Sequence, residues 1–440
     1  MALRTLAASA ALTDAAHPVH VYGLDAAGRG LELLRPLPQV GAIVSADDYE
    51  RLTRLLEDLT ELVDQRSTLL ARYDASTLTE LRANAGDRLG PLPRVLLLIG
   101  GFENLQATYE RVDRGRWHDT VLRLAADGRS VGLHLALTGT RRTSFPTMLT
   151  STVGRRLVLR LATLDEYAML GVDPSLVDGD EPAGRAVDAD ALVQLALVGD
   201  RTDTAGQALA LRELGAALAA DGTPPAPAVE VLGDVVPTDG LFASSGGDRL
   251  TVGRDERLQP FAVPADGHLL IAGPSRSGRS TAIAVAAASA AAAGRLTVVL
   301  SARKPPVGLP ASAQVHVGAD AVRAALEALA EPDGQPAPLV LIDELEDLVD
   351  TPVDLVLERV RQRGDVAVVA SCDVGVARRY STTVNRLKRS RRVFVLQPDV
   401  DLDTDLLGAP VPRTLRPFPP GRGIYGDAGQ LTVAQWAWPG

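Results

Sequence analysis

The stretch Gly273-Pro-Ser-Arg-Ser-Gly278-Arg279-Ser280-Thr281 decides the fold of this chain. It follows an apolar run, His268–Gly273, and it opens an Ala-rich run, Ala282–Ala293. An apolar run, a glycine loop and a helix-forming run in this order predict a strand, a phosphate-binding loop and a helix. The spacing is that of G-x-x-x-x-G-K-[ST], except that Arg279 stands where the lysine belongs.

The loop predicts a nucleotide site because glycines let the backbone bend round a phosphate, so that N–H groups and the helix N-terminus point at the anion. The hydroxyl of Ser280 is placed to hold Mg²⁺. The alternative is a Gly/Ser-rich turn before an ordinary helix, but the flanking strand and helix favour the nucleotide site. The candidate nucleotide-binding residues are Gly273, Pro274, Ser275, Arg276, Ser277, Gly278, Arg279, Ser280 and Thr281.

Acidic residues follow a second apolar run. Leu339–Ile342 predicts a buried strand, and Asp343 and Glu344 come directly after it. In phosphate-loop ATPases an Asp at this place helps to hold Mg²⁺, and a following Glu can polarise the attacking water as a general base. Asp343 is therefore a candidate metal ligand beside Ser280, and Glu344 is a candidate catalytic base. The alternative is a solvated acidic loop.

Two further residues are candidate catalytic groups. Ser371 ends the next predicted strand, where it either contacts the γ-phosphate and positions water or is a hydrogen-bonded serine of the framework; both interpretations stay open. Arg279 replaces a compact ammonium with a larger, planar guanidinium. We therefore expect nucleotide binding to survive at this loop and turnover to fall.

The composition sets broad limits. A length of 440 residues predicts two or three domains. The single cysteine, Cys372, excludes an internal disulfide and indicates a reducing compartment. The net charge of −10 argues against a general nucleic-acid coat, although it leaves room for a local basic channel. No apolar run reaches the length of a membrane span.

The order of predicted strands repeats along the chain. The first copy has strands at His17–Leu24, Val40–Val44, Arg94–Ile99, Val131–Thr138 and Leu157–Leu161. The second copy has them at Arg295–Leu300, Leu339–Ile342, Val366–Ser371 and Val393–Leu396, and Pro420–Gly423 answers Ala183–Ala186. The offsets of four pairs lie between 233 residues (Leu133 to Val366) and 243 residues (Leu96 to Leu339). This regularity predicts a duplicated domain, each copy a mostly parallel sheet covered by helices on both faces.

The two copies differ in ways that bear on function. A Pro-rich linker predicts a boundary near residue 225, which gives domains at 1–225 and 226–440. The first copy carries a longer helical region, Asp47–Gly86, and its first helix, Leu3–Leu12, aligns with the helix that follows the phosphate loop. Its own loop would fall before Met1, so we expect a C-terminal portion of a longer protein. The alternative is a first copy that exists without its first strand.

Glycines stand where the first copy would carry its two acids. Gly100 and Gly101 follow the strand Arg94–Ile99. A glycine offers no carboxylate to hold Mg²⁺ or to accept a proton. We therefore interpret the first copy as catalytically inactive.

The chain resembles the FtsK/SpoIIIE family of hexameric motor ATPases over nearly all its length. The motifs that carry the resemblance are GPSRSGRST (273–281), LVLIDELEDL (339–348), GLHLALTGTRR (132–142), VAVVASC (366–372), GRRLVLRLATLDEYAMLG (154–171) and PPGRGIYGD (419–427). It is most similar to the branch with tandem ATPase domains, the EccC-type ATPases of type VII secretion. The resemblance implies an α/β fold of two tandem RecA-like P-loop NTPase domains, the first lacking its N-terminal strand and phosphate loop.

The resemblance also implies a function. We expect an ATP- and Mg²⁺-binding, regulatory and substrate-binding part of a secretion motor, with weak or no hydrolysis. The expected partners are an upstream ATPase domain or other copies in a hexameric ring, and helical secreted proteins. The expected place is the cytoplasmic face of the cell membrane, with membrane association only through parts outside this chain.

Two alternatives remain. One is a translocase of duplex DNA, for which the basic residues Arg378, Arg379, Arg386, Lys388, Arg389, Arg391 and Arg392 would face phosphates, although a solvated helix face explains them as well. The other is a structural scaffold with empty nucleotide sites.

Overall fold

The computed structural model describes residues 1–13, 17–110, 112–178, 180–244, 248–331, 336–379, 382–411 and 417–439. The chain forms two compact units, Met1–Glu230 and Val231–Gly440, called unit 1 and unit 2 below. The linker predicted near residue 225 lies just before this division, and the extent of each functional domain stays a prediction. Part of the stretch 331–338, which is rich in turn-forming residues, lies outside the described residues.

Unit 1 alternates helices and strands. Its helices are α1 Ala2–Ala11, α2 Tyr49–Arg72, α3 Leu78–Ala85, α4 Phe102–Tyr109, α5 Arg116–Asp127, α6 Thr147–Thr152, α7 Leu164–Met169 and α8 Thr204–Ala220. Its strands are β1 Val19–Asp25, β2 Val40–Ser45, β3 Arg94–Gly100, β4 Leu133–Leu137, β5 Leu157–Leu159, β6 Arg185–Asp188 and β7 Ala191–Gln194.

The strands of unit 1 form two sheets within the described residues. One is parallel, with the order β2-β1-β3-β4, and the other is antiparallel, with the order β5-β6-β7. Leucines of β3 alternate between the two faces of the parallel sheet: Leu97 packs among residues of α2 and α5, and Leu96 and Leu98 pack among residues of α1. The parallel sheet therefore has apolar residues on both of its faces, as the run Arg94–Ile99 predicts.

The long helical region predicted at Asp47–Gly86 is two helices. The chain leaves α2 at Tyr73, and Asp74 takes a left-handed φ of 48°. The side chain of Thr77 then accepts a hydrogen bond from the N–H of Glu80 and begins α3. A threonine cap competes with continued helix because it satisfies a backbone donor locally. The apolar spacing continues across the break, which is why periodicity alone does not reveal it.

Unit 2 contains the predicted phosphate loop. Its helices are α9 Arg279–Ala292, α10 Ala319–Ala330, α11 Pro352–Gln362, α12 Val374–Arg378, α13 Thr382–Lys388 and α14 Thr404–Leu407. Its strands are β8 Val236–Pro237, β9 Arg249–Asp255, β10 Pro260–Pro264, β11 His268–Gly273, β12 Thr297–Ser301, β13 Gln314–Val317, β14 Leu339–Asp343, β15 Ala367–Asp373, β16 Arg392–Leu396, β17 Arg422–Asp427 and β18 Gln430–Trp438.

One mixed sheet runs through unit 2. Its parallel part has the order β13-β12-β14-β15-β11-β16, and β17, β18, β9 and β10 extend it as antiparallel strands. The short β8 pairs with β18. The strands β8, β9, β10, β13, β17 and β18 were not predicted, nor were β6 and β7 of unit 1, and the ends of the predicted strands differ by at most two residues.

The two units share one strand order. The order β2-β1-β3-β4 corresponds to β13-β12-β14-β15, and β5-β6-β7 corresponds to β16-β17-β18. In unit 2, β11 lies between β15 and β16 and joins them into one sheet. Within the described residues of unit 1 no strand occupies this place, so β4 and β5 belong to separate sheets. Accordingly β15 is buried along Ala367–Cys372, whereas Leu157 and Leu159 in β5 are 39% and 38% exposed.

A buried arginine of unit 1 gives a test of this packing. The guanidinium of Arg66 in α2 donates to the carbonyls of Val131 (2.9 Å) and Pro93 (2.7 Å), and burial lowers its pKa to about 10. Because Arg66→Met leaves two carbonyls without their donor, it should lower the free energy of unfolding by about 2–4 kcal/mol. Calorimetric unfolding of the full chain measures this, with Arg72→Met on the exposed end of α2 as the control. If the two substitutions lowered the free energy of unfolding equally, the buried hydrogen bonds of Arg66 would not be the cause.

Candidate nucleotide-binding site

The structure places the glycine loop at the carboxyl end of β11, at the edge where open parallel sheets bind ligands. The strand ends at Gly273 and α9 begins at Arg279, with Gly278 as the N-terminal cap at φ 103°. Arg276 lies within the loop at a left-handed φ of 65°. Pro274, Ser275, Ser277, Ser280 and Thr281 complete the loop and the first turn of α9.

Two glycines of the loop are required by close approach. A Cβ on Gly278 would lie 3.0 Å from the backbone nitrogen of Gly421, and a Cβ on Gly273 would lie 2.5 Å from Oγ of Ser277. Gly278 also has a φ that L-residues rarely adopt. The loop therefore keeps its shape only with glycine at these two positions.

The turn just before β17 contacts the phosphate loop and supports its backbone. The N–H of Gly421 donates to the carbonyl of Ser277 (2.7 Å), and the N–H of Trp436 donates to the carbonyl of Gly421 (2.8 Å). The side-chain amide of Gln435 donates to the carbonyl of Pro420 (2.9 Å). The Pro-Gly-Arg-Gly stretch, which marked the repeat in the sequence, thus contacts the nucleotide loop directly.

Arg422 fixes this turn to the beginning of unit 2. Its side chain is only 4% exposed and donates to the carbonyls of Leu232 (2.8 Å) and Gly233 (2.9 Å) and to Oε1 of Gln435 (3.1 Å). A buried guanidinium with several acceptors orients the backbone around it. The sequence singled out this arginine as part of a motif but did not reveal its role.

The two predicted acids lie at the end of β14, two strands from β11. Asp343 is 2% exposed, and one of its carboxylate oxygens accepts a hydrogen bond from Oγ of Ser371 (2.6 Å). Glu344 follows at a left-handed φ of 54°, and its N–H donates to the same Ser371 Oγ (3.2 Å). The structure therefore brings together three of the predicted catalytic and metal residues.

The same frame occurs in unit 1, where both acids are absent. Oγ1 of Thr138, at the end of β4, accepts a hydrogen bond from the N–H of Gly101 (3.0 Å). Thr138 corresponds to Ser371, and Gly101 corresponds to Glu344. Because the hydroxyl makes this bond even without the acids, the bond belongs to the framework. This supports the structural interpretation of Ser371.

The side chain of Arg279 is bound by a carboxylate of the protein. Its Nη1 donates to Oε1 of Glu346 at 2.7 Å, and the two side chains are 15% and 20% exposed. The other oxygen of Glu346 accepts a hydrogen bond from the N–H of Asp373 (3.1 Å). The sequence identified Arg279 but missed Glu346, because a third acid after a strand resembles an ordinary solvated loop.

The residues present fit a nucleotide with Mg²⁺. Oγ of Ser277 and Oε2 of Glu344 are buried and have no hydrogen-bond partner among the described residues. No side chain caps the N-terminus of α9, so its first N–H groups are available to an anion. The described residues contain no group of three His, Cys, Asp or Glu side chains that could hold a metal. Mg²⁺ commonly takes only one or two protein ligands beside phosphate and water, so a ligand pair such as Ser280 and Asp343 stays a prediction.

Beside the loop lies a cavity of about 270 Å³ whose walls combine apolar side chains with polar atoms. Pro274 of the loop forms one side, and Gln397 at the end of β16 offers a polar group. The remaining lining residues are Pro398, Val400, Val411, Pro417, Phe418 and Ile424. Planar, weakly polar groups suit such walls.

The fold and the loop define unit 2 as a RecA-like P-loop NTPase domain, and unit 1 as a second domain of the same α/β design. Residues 1–173 match the sequence profile of the FtsK/SpoIIIE family. The ESX secretion system protein EccC of Thermomonospora curvata is 30% identical over 295 residues, which cover 63% of this chain and 22% of that protein. The ESX-4 secretion system protein EccC4 of Mycobacterium tuberculosis is 28% identical over 289 residues, 64% of this chain and 22% of that protein.

Solved structures show the same tandem fold. ATPases 2 and 3 of T. curvata EccC, in complex with a signal sequence peptide, superpose with a TM-score of 0.71 at 23% identity, covering all of this chain and 85% of that one. ATPases 2 and 3 of EssC from Geobacillus thermodenitrificans give a TM-score of 0.77 at 19% identity and cover 100% and 88%. The resemblance to the FtsK/SpoIIIE family, and within it to EccC-type ATPases, is thus confirmed. The chain spans about a fifth of the length of these curated relatives.

The environment of Glu344 makes its ionisation unfavourable. Desolvation raises the pKa of its carboxyl, and the nearby carboxylates of Asp343 and Asp347 raise it further. A folded-state pKa above the unfolded value means that this group costs stability as pH rises from the unfolded pKa through the folded one. A raised carboxyl pKa is also what a general base near neutral pH requires.

Glu344→Gln should therefore stabilise unit 2 at pH 7 by roughly 1–3 °C in melting temperature, and the gain should shrink through about pH 4 and vanish near about pH 3, where the wild-type carboxyl is protonated in both states. Thermal melts across this pH range measure the effect. Glu331→Gln, which removes a carboxylate from an exposed pair with Arg359, serves as the control. A destabilised Glu344→Gln at pH 7 would refute the account.

Proposed function

We propose that the chain is the ATP-binding portion of an FtsK/SpoIIIE-type motor and acts as a regulatory and substrate-binding part of a type VII secretion system. Its two domains correspond to residues 1–225 and 226–440. The observation that carries the proposal is a complete phosphate loop whose cationic residue, Arg279, is bound by Glu346. Such a site keeps the means to bind a nucleotide but does not direct its cation towards the transferred phosphoryl group.

The residues of unit 2 have distinct roles in this proposal. The loop from Gly273 to Gly278 and the first turn of α9 bind the phosphates through backbone N–H groups. Ser280 and Asp343 hold Mg²⁺, which when bound neutralises phosphate charge. Glu344 orients and deprotonates water. The cavity beside Pro274 takes the base.

Weak hydrolysis follows from the position of Arg279. A guanidinium forms a planar fork that suits a carboxylate, and Glu346 already accepts from it. Catalysis of phosphoryl transfer depends on cations held against the developing charge. With its cation engaged elsewhere, the site favours binding over turnover.

Unit 1 is a non-catalytic partner domain in this proposal. Gly100 and Gly101 end β3 where unit 2 has Asp343 and Glu344, and neither can supply a carboxylate. The framework bond from Gly101 to Thr138 persists without them. The domain therefore keeps its shape and serves structure and regulation.

The partners are proposed from the relatives. An EccC relative was solved with a signal sequence peptide, so we propose that this chain binds helical export signals of secreted proteins. We further propose that it works beside an upstream ATPase domain or in a hexameric ring at the cytoplasmic face of the membrane. Among the described residues, no helix is long and apolar enough to cross a bilayer. The proposal further places membrane association in parts outside this chain, as the resemblance to secretion ATPases implies.

Duplex DNA is the less favoured partner because much of the basic run is already engaged. Three of its arginines form ion pairs at 2.9–3.0 Å, and its lysine donates to a backbone carbonyl. The pairs are Arg378–Asp403, Arg386–Glu358 and Arg392–Asp266, and the lysine bond runs from Lys388 to Ala377. Neutralised arginines add little to phosphate binding.

The nucleotide proposal predicts that the full chain binds ATP with Mg²⁺ and hydrolyses it slowly. Arg279→Lys should raise turnover about tenfold or more, because a compact ammonium returns to the loop. Calorimetric titration and phosphate release measure affinity and rate, with Arg295→Lys outside the site as the control. Unchanged affinity and turnover would show that Arg279 is not the weak point, and absence of any ATP binding would favour the scaffold alternative.

The partner proposal predicts that the full chain binds the signal peptide solved with the T. curvata relative more tightly than duplex DNA. Fluorescence anisotropy at about 0.15 M salt compares the two, and a salt series reveals the number of phosphate contacts, since each adds roughly −0.9 to the slope for duplex DNA. Submicromolar DNA binding with a steep slope, and no peptide binding, would support the translocase instead.

A further inference from the structure

Glu346 connects two elements of the nucleotide site through its two carboxylate oxygens. Oε1 accepts from Nη1 of Arg279 at 2.7 Å, at the start of α9. Oε2 accepts from the N–H of Asp373 at 3.1 Å, at the end of β15. The carboxylate of Glu346 therefore links the end of β15 to the beginning of α9.

Unit 1 has a counterpart of the backbone contact of Glu346 but, within the described residues, none of its arginine contact. Glu103 corresponds to Glu346 at an offset of 243 residues, and Thr140 corresponds to Asp373 at an offset of 233. Oε1 of Glu103 accepts from the N–H of Thr140 (3.2 Å), as Glu346 does from Asp373. Oε2 of Glu103 is buried and has no hydrogen-bond partner among the described residues. The backbone bond therefore belongs to the repeated framework, whereas among the described residues the arginine contact occurs in unit 2.

The added contact changes the charge that an anion meets at the loop. Asp343, Glu344, Glu346 and Asp347 crowd the end of β14, and Arg303 is paired with Asp347. A triphosphate entering the loop must compete with Glu346 for Arg279. Because both side chains are largely shielded from water, their attraction is screened less than that of a surface pair.

We propose that Glu346 is a positioning residue for Arg279: it holds the guanidinium at the strand ends and thereby weakens binding of nucleotide phosphates to the loop. The triphosphate competes with this carboxylate for Arg279, and the ion pair weakens the contact between guanidinium and phosphate while leaving the backbone N–H groups of the loop available. The proposal rests on the nucleotide-binding function proposed above, and it makes Glu346 the residue that sets nucleotide affinity in unit 2.

The test compares ATP affinity of the full chain and of Glu346→Gln by calorimetric titration with Mg²⁺. The glutamine keeps a carbonyl oxygen for the N–H of Asp373 but loses the charge that holds Arg279. ATP should bind about tenfold more tightly to this variant. Glu331→Gln removes an equally charged group from an exposed arginine pair of the same unit and should leave affinity within about twofold.

A double-mutant cycle shows whether Glu346 acts through Arg279. In an Arg279→Ala background, Glu346→Gln should change ATP affinity at most about threefold, because only the general loss of charge remains. An equal gain in both backgrounds, or weaker binding by Glu346→Gln with an unchanged melting temperature, would overturn the positioning role. If the wild-type chain and every variant fail to bind ATP, the proposed nucleotide function itself fails. If the wild type binds and Glu346→Gln binds equally, only the role of Glu346 fails.

Discussion

The parallel pairing of β11 with β15 and β16 is the constraint on which the rest of unit 2 depends. It places the loop after Gly273 beside Asp373 and brings β14, with Asp343 and Glu344, to the same edge of the sheet. The antiparallel strands beyond β16 then bring the Gly421 turn against Ser277. The strand β11 thus positions the phosphate loop, the two acids and the Gly421 turn, because parallel strands end at a common edge. In the described part of unit 1 no strand lies at this place, the two sheets are separate, and Leu157 and Leu159 of β5 are exposed.

Duplication distinguishes framework from function within a single chain. Thr138 and Ser371 make the same bond to the backbone, and so do Glu103 and Glu346, although Gly100 and Gly101 stand in unit 1 where unit 2 has Asp343 and Glu344. A contact that persists in the copy without these two acids cannot owe its existence to catalysis. Within the described residues, unit 2 differs by the pair Arg279–Glu346 and by the carboxylates of Asp343 and Glu344.

Much of the fold follows from local sequence. Apolar runs and glycine turns predicted the buried parallel strands, because such a strand needs a continuous apolar run, although the edge strand β13 was missed. The nearly constant offsets predicted the repeat. The break between α2 and α3 was not predicted, because the apolar periodicity continues across it and only the cap at Thr77 interrupts the helix. The roles of Glu346 and Arg422 were not predicted, for a different reason. Their roles lie in partners 67 and 190 residues away, and such partners are set by strand order rather than by neighbours in sequence.

The arginine in the loop makes sense together with its partner. A lysine ammonium is strongly hydrated and compact, whereas a guanidinium tolerates partial burial and matches a carboxylate with its fork. Glu346 is already held in place by the framework bond to Asp373, so little further ordering is needed to bind the arginine. That framework bond therefore explains why an arginine at position 279 pairs with a carboxylate of the protein.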